Sequence, residues 1–207
     1  MTDPLMRPSR LVHLQGDEVF SFGATVADFW RWALGDLRMN TIRGFLAEFF
    51  VAQAVGATAP HRVEWAPFDV ESGEGIRLEV KATGYLQSWS QPRPSRPVYS
   101  FAAAYAASMW DEALGENVEV DPASRVDAWV FALQTCRDHA AYQPLDLEQW
   151  EFRVVPHRQL IASGQKSARL SFFDRLGVEP VAFGRLADAV RTAHAENERL
   201  SRSGTQP

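Results

Sequence analysis

The sequence is poor in the residues that form disulfides and soft-metal sites. Cys136 is the single cysteine among 207 residues, which excludes an internal disulfide and any zinc site made of several cysteines. The five histidines show no metal-ligand spacing. No apolar run typical of a signal peptide follows Arg7 and Arg10, and no stretch is apolar enough to span a bilayer. We therefore expect a cytoplasmic protein without a membrane partner.

Lysine is also scarce. The chain has two lysines, Lys81 and Lys166, against nineteen arginines. A cation needed only for its charge would usually be arginine in such a chain, whereas lysine is a compact point donor whose pKa shifts readily on partial burial. The sequence therefore predicts a site around Lys81.

Length and pattern indicate an α/β fold in one domain. With 46% apolar residues, the chain can fill a single core over residues 1–200. Alternating and apolar segments predict the strands, and longer amphipathic segments predict helices after Thr25 and at 41–55 and 185–200. The polar tail, 201–207, is predicted to be disordered. The predicted strands are 61–65, 68–71, 76–82, 98–101, 128–133 and 151–155, and the apolar run at 128–133 is typical of a strand covered on both faces.

Two carboxylates are predicted to meet on adjacent strands. In the segment 76–83, Glu79 and Lys81 share one face of a strand. A loop with two glycines separates this strand from Asp69, which suits a hairpin that places Asp69 opposite Glu79. Two close carboxylates repel each other, and a divalent cation with hard oxygen preference, Mg²⁺ or Mn²⁺, would hold both ionised.

These residues resemble a known family. Pro67-Phe68-Asp69 followed by Glu79-Val80-Lys81, with an acidic helix upstream, is similar to the PD-(D/E)xK nuclease superfamily. The resemblance implies a restriction-endonuclease-like fold, a mixed β-sheet flanked by helices. It also implies that Asp69, Glu79 and Lys81 are catalytic, and that Asp69 and Glu79, with the Val80 carbonyl, hold the metal ion.

The upstream helix supplies a third carboxylate. We expect Asn40 to cap a helix over 41–55, with Glu48 off its apolar stripe and in line with Gly44 and Ala52. Glu48 resembles the helix glutamate that many members of the superfamily place beside the metal. The predicted core stripe of this helix is Ile42, Phe45, Leu46, Phe49 and Phe50.

Substrate contacts are predicted after the lysine. Gln87 or Thr83 resembles the polar residue that follows the lysine in some members, and Trp89 is the aromatic residue expected to stack on a base. The net charge of −5 argues against a generic nucleic-acid binder. Two segments offer phosphate contacts nonetheless: the loop 91–96, and the basic residues Arg153, Arg158, Lys166, Arg169 and Arg175.

The leading hypothesis is a Mg²⁺-dependent nuclease acting on nucleic acid, with DNA as the expected substrate and bacterial defence or repair as the expected setting. Concerted cutting of both strands would require a homodimer, although no segment identifies an interface. The alternatives are a catalytically inactive nuclease-fold protein that binds nucleic acid or a partner, and a hydrolase of another phosphoester. Singly, each residue also has an ordinary structural role: Glu79 and Lys81 as a solvated edge pair, Asp69 as a turn residue and Glu48 as a surface glutamate.

Overall fold

The structure is a computed structural model that describes residues 13–63, 66–111 and 115–203. The helices in those ranges are α1 (Val26–Leu34), α2 (Asn40–Ala54), α3 (His157–Ala162), α4 (Leu170–Leu176) and α5 (Leu186–Ser203). The strands are β1 (Val70–Glu71), β2 (Arg77–Gly84), β3 (Tyr99–Ser100), β4 (Ser108–Asp111), β5 (Glu116–Glu119), β6 (Ala128–Gln134), β7 (Trp150–Pro156) and β8 (Ser167–Ala168). No helix in the described ranges is long and apolar enough to cross a bilayer.

Four strands form the central sheet, in the order β1, β2, β6 and β7. β1 runs antiparallel to β2, β2 runs parallel to β6, and β6 runs antiparallel to β7. Two further ribbons pair β3 with β8 and β4 with β5. The protein is thus a mixed α/β structure with a mixed sheet and helices, which confirms the coarse fold prediction.

The central strand β6 separates two apolar cores. It is buried at every position, as the apolar run predicted. Ala128, Val130 and Ala132 pack into a core that includes apolar residues of α2 and α5. Trp129 and Phe131 face the second core, which contains aromatic residues of β3 and α4. Because β2 pairs with β6, its polar face borders this aromatic core rather than open water.

The strands near the predicted hairpin are shorter than expected. The predicted strand 68–71 forms only at β1, and 98–101 forms only at β3. The physical reason at β1 is that Phe68 packs against the aromatic core whereas Val70 packs into the other core. Residues two apart in a regular strand share a face, so the strand is interrupted at Asp69. In the predicted strand 61–65, residues 61–63 form no strand, and 64 and 65 lie outside the described residues.

Helix α2 presents a shifted face to the core. Ile42, Leu46 and Phe50 of the predicted stripe pack inward, whereas Phe45 and Phe49 are exposed and Ala47 and Val51 are buried in their place. Small Ala47 lets the helix approach the sheet closely, and the apolar periodicity does not distinguish this face from the aromatic one. The predicted cap is also wrong: the N-cap is Met39 without a side-chain hydrogen bond, and Asn40 is the first helical residue.

The last helix is longer than predicted. α5 continues to Ser203, three residues beyond the expected end at Leu200. Ion pairs between Glu196 and Arg199, at 2.6 Å, and between Glu198 and Arg202, at 3.2 Å, join successive turns there. Of the predicted disordered tail, 201–203 are therefore helical, and 204–207 lie outside the described residues.

Candidate active site

Asp69 and Glu79 are brought together by the pairing of β1 with β2. The register places Val70 opposite Leu78 and Glu71 opposite Arg77, which brings Asp69, the residue before β1, alongside Glu79. The Asp69 N–H donates to the Leu78 carbonyl at 3.0 Å, and the Val80 N–H donates to Asp69 Oδ2 at 2.8 Å. The Asp69 carboxylate thus takes the place of a strand carbonyl, which fixes it beside Glu79.

Lys81 lies between these two carboxylates. Its Nζ donates to Glu79 Oε1 at 2.7 Å and is 3.8 Å from Asp69 Oδ2. The same atom lies 5.6 Å from the centre of the Trp129 ring, close enough for a cation–π attraction. With 29% of its side chain exposed, Lys81 is anchored among protein groups and still accessible to a ligand.

Glu48 contributes the third carboxylate, from α2. Burial is the largest cause that raises the pKa of Glu48, and the negative charge of Asp69 raises it further. Arg62, whose Nε donates to Glu48 Oε2 at 2.6 Å, opposes that rise, as does the charge of Lys81. Glu48 and Asp69 line the same cavity, so the carboxylate of α2 lies on the side of the site where Asp69 lies.

Glu79 is the most enclosed carboxylate of the three, with 13% of its side chain exposed. Burial raises its pKa, and so does the charge of Asp69, while Lys81 and Arg125 lower it. The net direction is upward, so the folded protein holds this negative charge at a cost in free energy. A positive ion at the site would remove that cost.

The three carboxylates form a suitable donor set for a hard divalent cation, which prefers oxygen ligands. Within the described ranges, no three Asp, Glu, His or Cys side chains stand close enough together to form a metal site in their present positions. Glu79 is paired with Lys81, and Glu48 is paired with Arg62. For a metal ion to bind all three carboxylates, Lys81 and Arg62 would have to move away from Glu79 and Glu48.

A cavity of about 540 Å³ opens beside Glu48 and Asp69. Phe45, Phe49 and Phe68 line it, together with Arg62, whose guanidinium carbon lies 4.7 Å from the centre of the Phe45 ring. The two aromatic residues of α2 that were predicted to be core therefore line the approach to the carboxylates. Their exposure leaves the site accessible from this side.

The three predicted substrate residues lie together, in a groove separate from the carboxylates. Thr83 and Gln87 are buried and Trp89 is exposed, and all three line this groove at the end of β2. Gln87 accepts a hydrogen bond from Arg43 Nη2 at 3.3 Å and donates to the Gly84 carbonyl at 3.2 Å. No hydrogen bond in the described chain joins these residues to Asp69, Glu79 or Lys81.

Arg153, one residue of the predicted basic surface, does not lie at the surface. Arg153 is buried on β7, where it lies 3.3 Å from Glu151 and packs over the ring of Phe173. It is therefore not available as a solvent-facing phosphate contact. The alternating pattern of this segment predicted that Arg153 faces solvent. The strand is instead covered on both faces, so the side chain of Arg153 lies in the interior.

Sequence reasoning missed three residues of the site and its surroundings: Arg43, Arg62 and Trp129. Arg43 carried a usable signal, since it lies four residues before Ala47 on the buried side of α2 and a charge there needs an explanation. Trp129 was predicted to be buried, but its place under Lys81 depends on strand register. Arg62 reaches Glu48 from a loop, which no local pattern reveals.

A scan against models of protein families finds no match to this chain, and neither does a search of curated proteins. The chemistry of the site therefore rests on the residues themselves.

Proposed function

We propose that the protein is a divalent-metal-dependent phosphodiesterase that hydrolyses nucleic acid, with DNA as the expected substrate. One observation carries the proposal: Lys81 Nζ lies 2.7 Å from Glu79, on the same strand, and 3.8 Å from Asp69, which directly precedes β1. A lysine beside two carboxylates, with a third one near, is an arrangement suited to phosphoryl chemistry. The motif order around Asp69, Glu79 and Lys81 supports the same proposal through its resemblance to the PD-(D/E)xK superfamily.

Asp69, Glu79 and Glu48 would hold Mg²⁺ or Mn²⁺. Their oxygens are the ligand type that these ions prefer, and burial together with the Asp69 charge raises the pKa of both glutamates. A bound divalent cation would lower the pKa of a water molecule and polarise the phosphate. The fixed position of Asp69, which accepts the Val80 N–H, would orient the ligand set before substrate binds.

Lys81 would orient the attacking water and offset negative charge on the phosphate. A compact ammonium donates in any direction within reach, and charge stabilisation aimed at the reacting group lowers the barrier in a low-dielectric site. The aromatic ring of Trp129 beneath Nζ excludes water from one side of the ammonium. The contacts with Glu79 and Asp69 direct the Lys81 side chain toward the carboxylates.

A second candidate has an observation in its favour. Glu79 and Glu48 already have basic partners, Lys81 and Arg62, and a closed set of ion pairs is what a non-catalytic descendant of a nuclease would retain. Such a protein would serve as a nucleic-acid-binding or partner-binding module. The two candidates differ in whether a metal ion binds and in whether phosphodiester bonds are cleaved.

Cleavage assays separate them directly. Supercoiled, linear and single-stranded DNA, and RNA, are incubated with pure protein and Mg²⁺ or Mn²⁺, beside Asp69→Ala and the control Asp17→Ala, which changes an exposed aspartate. We expect the wild type and Asp17→Ala to cleave DNA and Asp69→Ala to lose cleavage. Cleavage by Asp69→Ala at the wild-type rate would exclude the proposed site.

Thermal unfolding gives an independent readout. A ligand present at a hundredfold excess over its Kd stabilises the folded state by about 2.7 kcal/mol. We expect Mg²⁺ to raise the Tm of the wild type and to leave the Tm of Asp69→Asn unchanged. An equal response, or none in either protein, would favour the non-catalytic module.

A further inference from the structure

Arg43 is a buried cation without an anion. Only 4% of the residue is exposed. Burial lowers its pKa, and only two tyrosines, Tyr142 and Tyr99, act in the opposite direction. Among the described residues no carboxylate forms an ion pair with Arg43. Buried charges in proteins are normally paired, so the location of its missing partner is informative.

The hydrogen bonds of Arg43 go to neutral oxygens. Nη1 donates to the carbonyls of Arg38, at 3.3 Å, and Leu86, at 3.1 Å. Nη2 donates to Asn40 Oδ1 and to Gln87 Oε1. Nε is buried and has no hydrogen-bond partner in the described part of the chain. These contacts hold the guanidinium in place but leave its charge and one donor unused.

Arg43 lines the groove that contains the three predicted substrate residues. Its volume is about 340 Å³, within the range of small-ligand sites. We name it the Arg43 groove, and its lining includes Asn40, Arg43, Thr83, Gln87, Trp89 and Arg96. Arg96 is exposed and adds a second positive charge, and none of the described residues that line the groove is acidic.

Helix α2 adds to the positive character of the groove. The helix begins at Asn40, without a side-chain cap and without an acidic residue in its first turn. The N-terminal end of a helix carries partial positive charge and unpaired N–H groups, which favour anions. The helix end, the buried guanidinium and Arg96 therefore point to the same kind of ligand, an oxyanion.

The loop that completes the groove is held in shape by its own hydrogen bonds. The Ser95 N–H donates to the Tyr85 carbonyl at 2.7 Å, and the Gln87 N–H donates to Gln91 Oε1 at 2.7 Å. Gln91 Nε2 donates to Ser95 Oγ at 2.8 Å. Trp89, 57% exposed, lies on this ordered loop, so its indole face is presented with little loss of conformational entropy on binding.

Position along β2 relates the groove to the carboxylates. Ala82, which lines the groove, directly follows Lys81. Thr83 lies on the same side of the strand as Lys81, about 7 Å further along at the usual rise per residue. A ligand in the groove would therefore lie beside whatever occupies the carboxylate site.

We propose that the Arg43 groove binds a phosphate of single-stranded nucleic acid, with Arg43 and Arg96 facing the phosphate and Trp89 stacking on a base. An oxyanion site next to an exposed tryptophan suits a nucleotide better than a free anion, because base stacking uses the ring and the phosphate uses the charge. A duplex keeps its bases stacked inside and cannot use Trp89 in this way. The inference rests on the proposed function, since it names the form of the substrate.

The test measures binding without cleavage. Fluorescence anisotropy of labelled oligodeoxythymidylate and oligouridylate is recorded in EDTA, and the probe that binds more tightly is used for the variants. Trp89→Ala and Arg96→Ala are compared with Trp110→Ala and Arg185→Ala, an exposed tryptophan on β4 and an exposed arginine just before α5, neither of which lines the groove. Arg43 is kept, because its hydrogen bonds join α2 to the loop and replacing it would alter folding.

We expect Trp89→Ala and Arg96→Ala each to weaken binding by about tenfold, and the two controls to bind like the wild type. A phosphate contact to a single strand changes the slope of log K against log salt by about 0.7. That slope should fall in Arg96→Ala and stay constant in Trp89→Ala, whereas general damage to the loop would not separate the two variants.

Wild-type affinity in both groove variants, equal losses in the controls, or no binding of either probe would overturn the groove proposal. Failure of the proposed function has a different signature. If the wild type cleaves nothing and binds no Mg²⁺, but Trp89→Ala and Arg96→Ala lose affinity, the groove proposal holds and the nuclease proposal is wrong. If DNA is cleaved and both variants bind like the wild type, the nuclease proposal holds and the groove proposal is wrong.

Discussion

Two regions along β2 bury charge of opposite sign. Around Glu79 the buried charges are negative, and burial and the Asp69 charge raise the pKa of that carboxyl. Around Thr83, further along the strand, the buried charge is the positive guanidinium of Arg43, whose pKa burial lowers. In the first region basic side chains partly neutralise the excess, whereas in the second only neutral oxygens approach.

The two regions therefore favour ligands of opposite charge. The carboxylate region has excess negative charge, and the arginine region has a buried positive charge. Under the proposed function, a divalent cation would bind in the first region and a nucleic-acid phosphate in the second. Uncompensated charges of this kind lower the stability of the free protein, and they are commonly retained at functional sites.

The largest expected effect comes from replacing Lys81, the basic residue of the carboxylate region. Lys81→Ala should lower the rate of phosphodiester hydrolysis by about 100-fold to 10,000-fold, the usual range for a group that assists proton transfer. Mg²⁺ should still raise the Tm of the variant, because the three carboxylates remain. Hydrolysis rates and metal-dependent Tm shifts are measured on the same preparation.

Lys166 provides the matched control, since it is the other lysine of the chain and is exposed. Lys166→Ala should cleave like the wild type. If Lys81→Ala also retained full activity, the carboxylate region would have to act without its lysine, and the mechanism proposed for it would be wrong.

A smaller effect on stability sharpens the comparison. Because its pKa is raised above the ordinary 4.5, Glu79 binds protons more readily in the folded state than in the unfolded state. The free energy of unfolding therefore decreases as pH rises from about 4.5 through the folded-state pKa. Without divalent cations, Glu79→Gln should lose this decrease and unfold about 2–4 °C higher than the wild type near pH 7, the shift that corresponds to ~1 kcal/mol.

Thermal unfolding between pH 4 and pH 8 in EDTA measures this difference. Lys81 retains Asp69 as a partner, 3.8 Å away, so the substitution does not leave the ammonium alone. Glu116→Gln, at an exposed position of β5, controls for the change in net charge. Parallel pH profiles for Glu79→Gln and the wild type would show that Glu79 does not carry the buried negative charge.

The two regions also differ in how far the sequence could predict them. Glu79 and Lys81 lie on β2, and a short loop joins that strand to β1, which directly follows Asp69. Strand alternation and one hairpin were therefore enough to bring the three residues together. Arg43 meets Leu86 and Gln87 across more than forty residues, which no local pattern specifies. The same limit applies to α2. Apolar periodicity predicted that Phe45 and Phe49 face the core, whereas Ala47 packs closely against the sheet and the two aromatic residues are exposed.

The smallest expected effect concerns Arg62, which lines the cavity beside the carboxylates and pairs with Glu48. Arg62 lowers the pKa of Glu48 against the effects of burial and Asp69, so Arg62→Gln should raise that pKa further. A higher pKa means that Glu48 is protonated, and unable to bind a cation, over a larger part of the acidic range. We expect the Kd for Mg²⁺ to rise more steeply in the variant than in the wild type as the pH is lowered from 8.5 to 6.

Calorimetric titration of Mg²⁺ at the two pH values checks this expectation. Arg185→Gln removes a solvent-exposed arginine that pairs with Asp188 at 3.7 Å, and it should leave both Kd values unchanged. The effect of Arg62→Gln on unfolding should stay below about 1 kcal/mol, because partly exposed ion pairs contribute little. If Arg62→Gln weakened Mg²⁺ binding equally at both pH values, Arg62 would affect the shape of the cavity and not the pKa of Glu48. Lys81 would then be the basic residue that neutralises the carboxylate region.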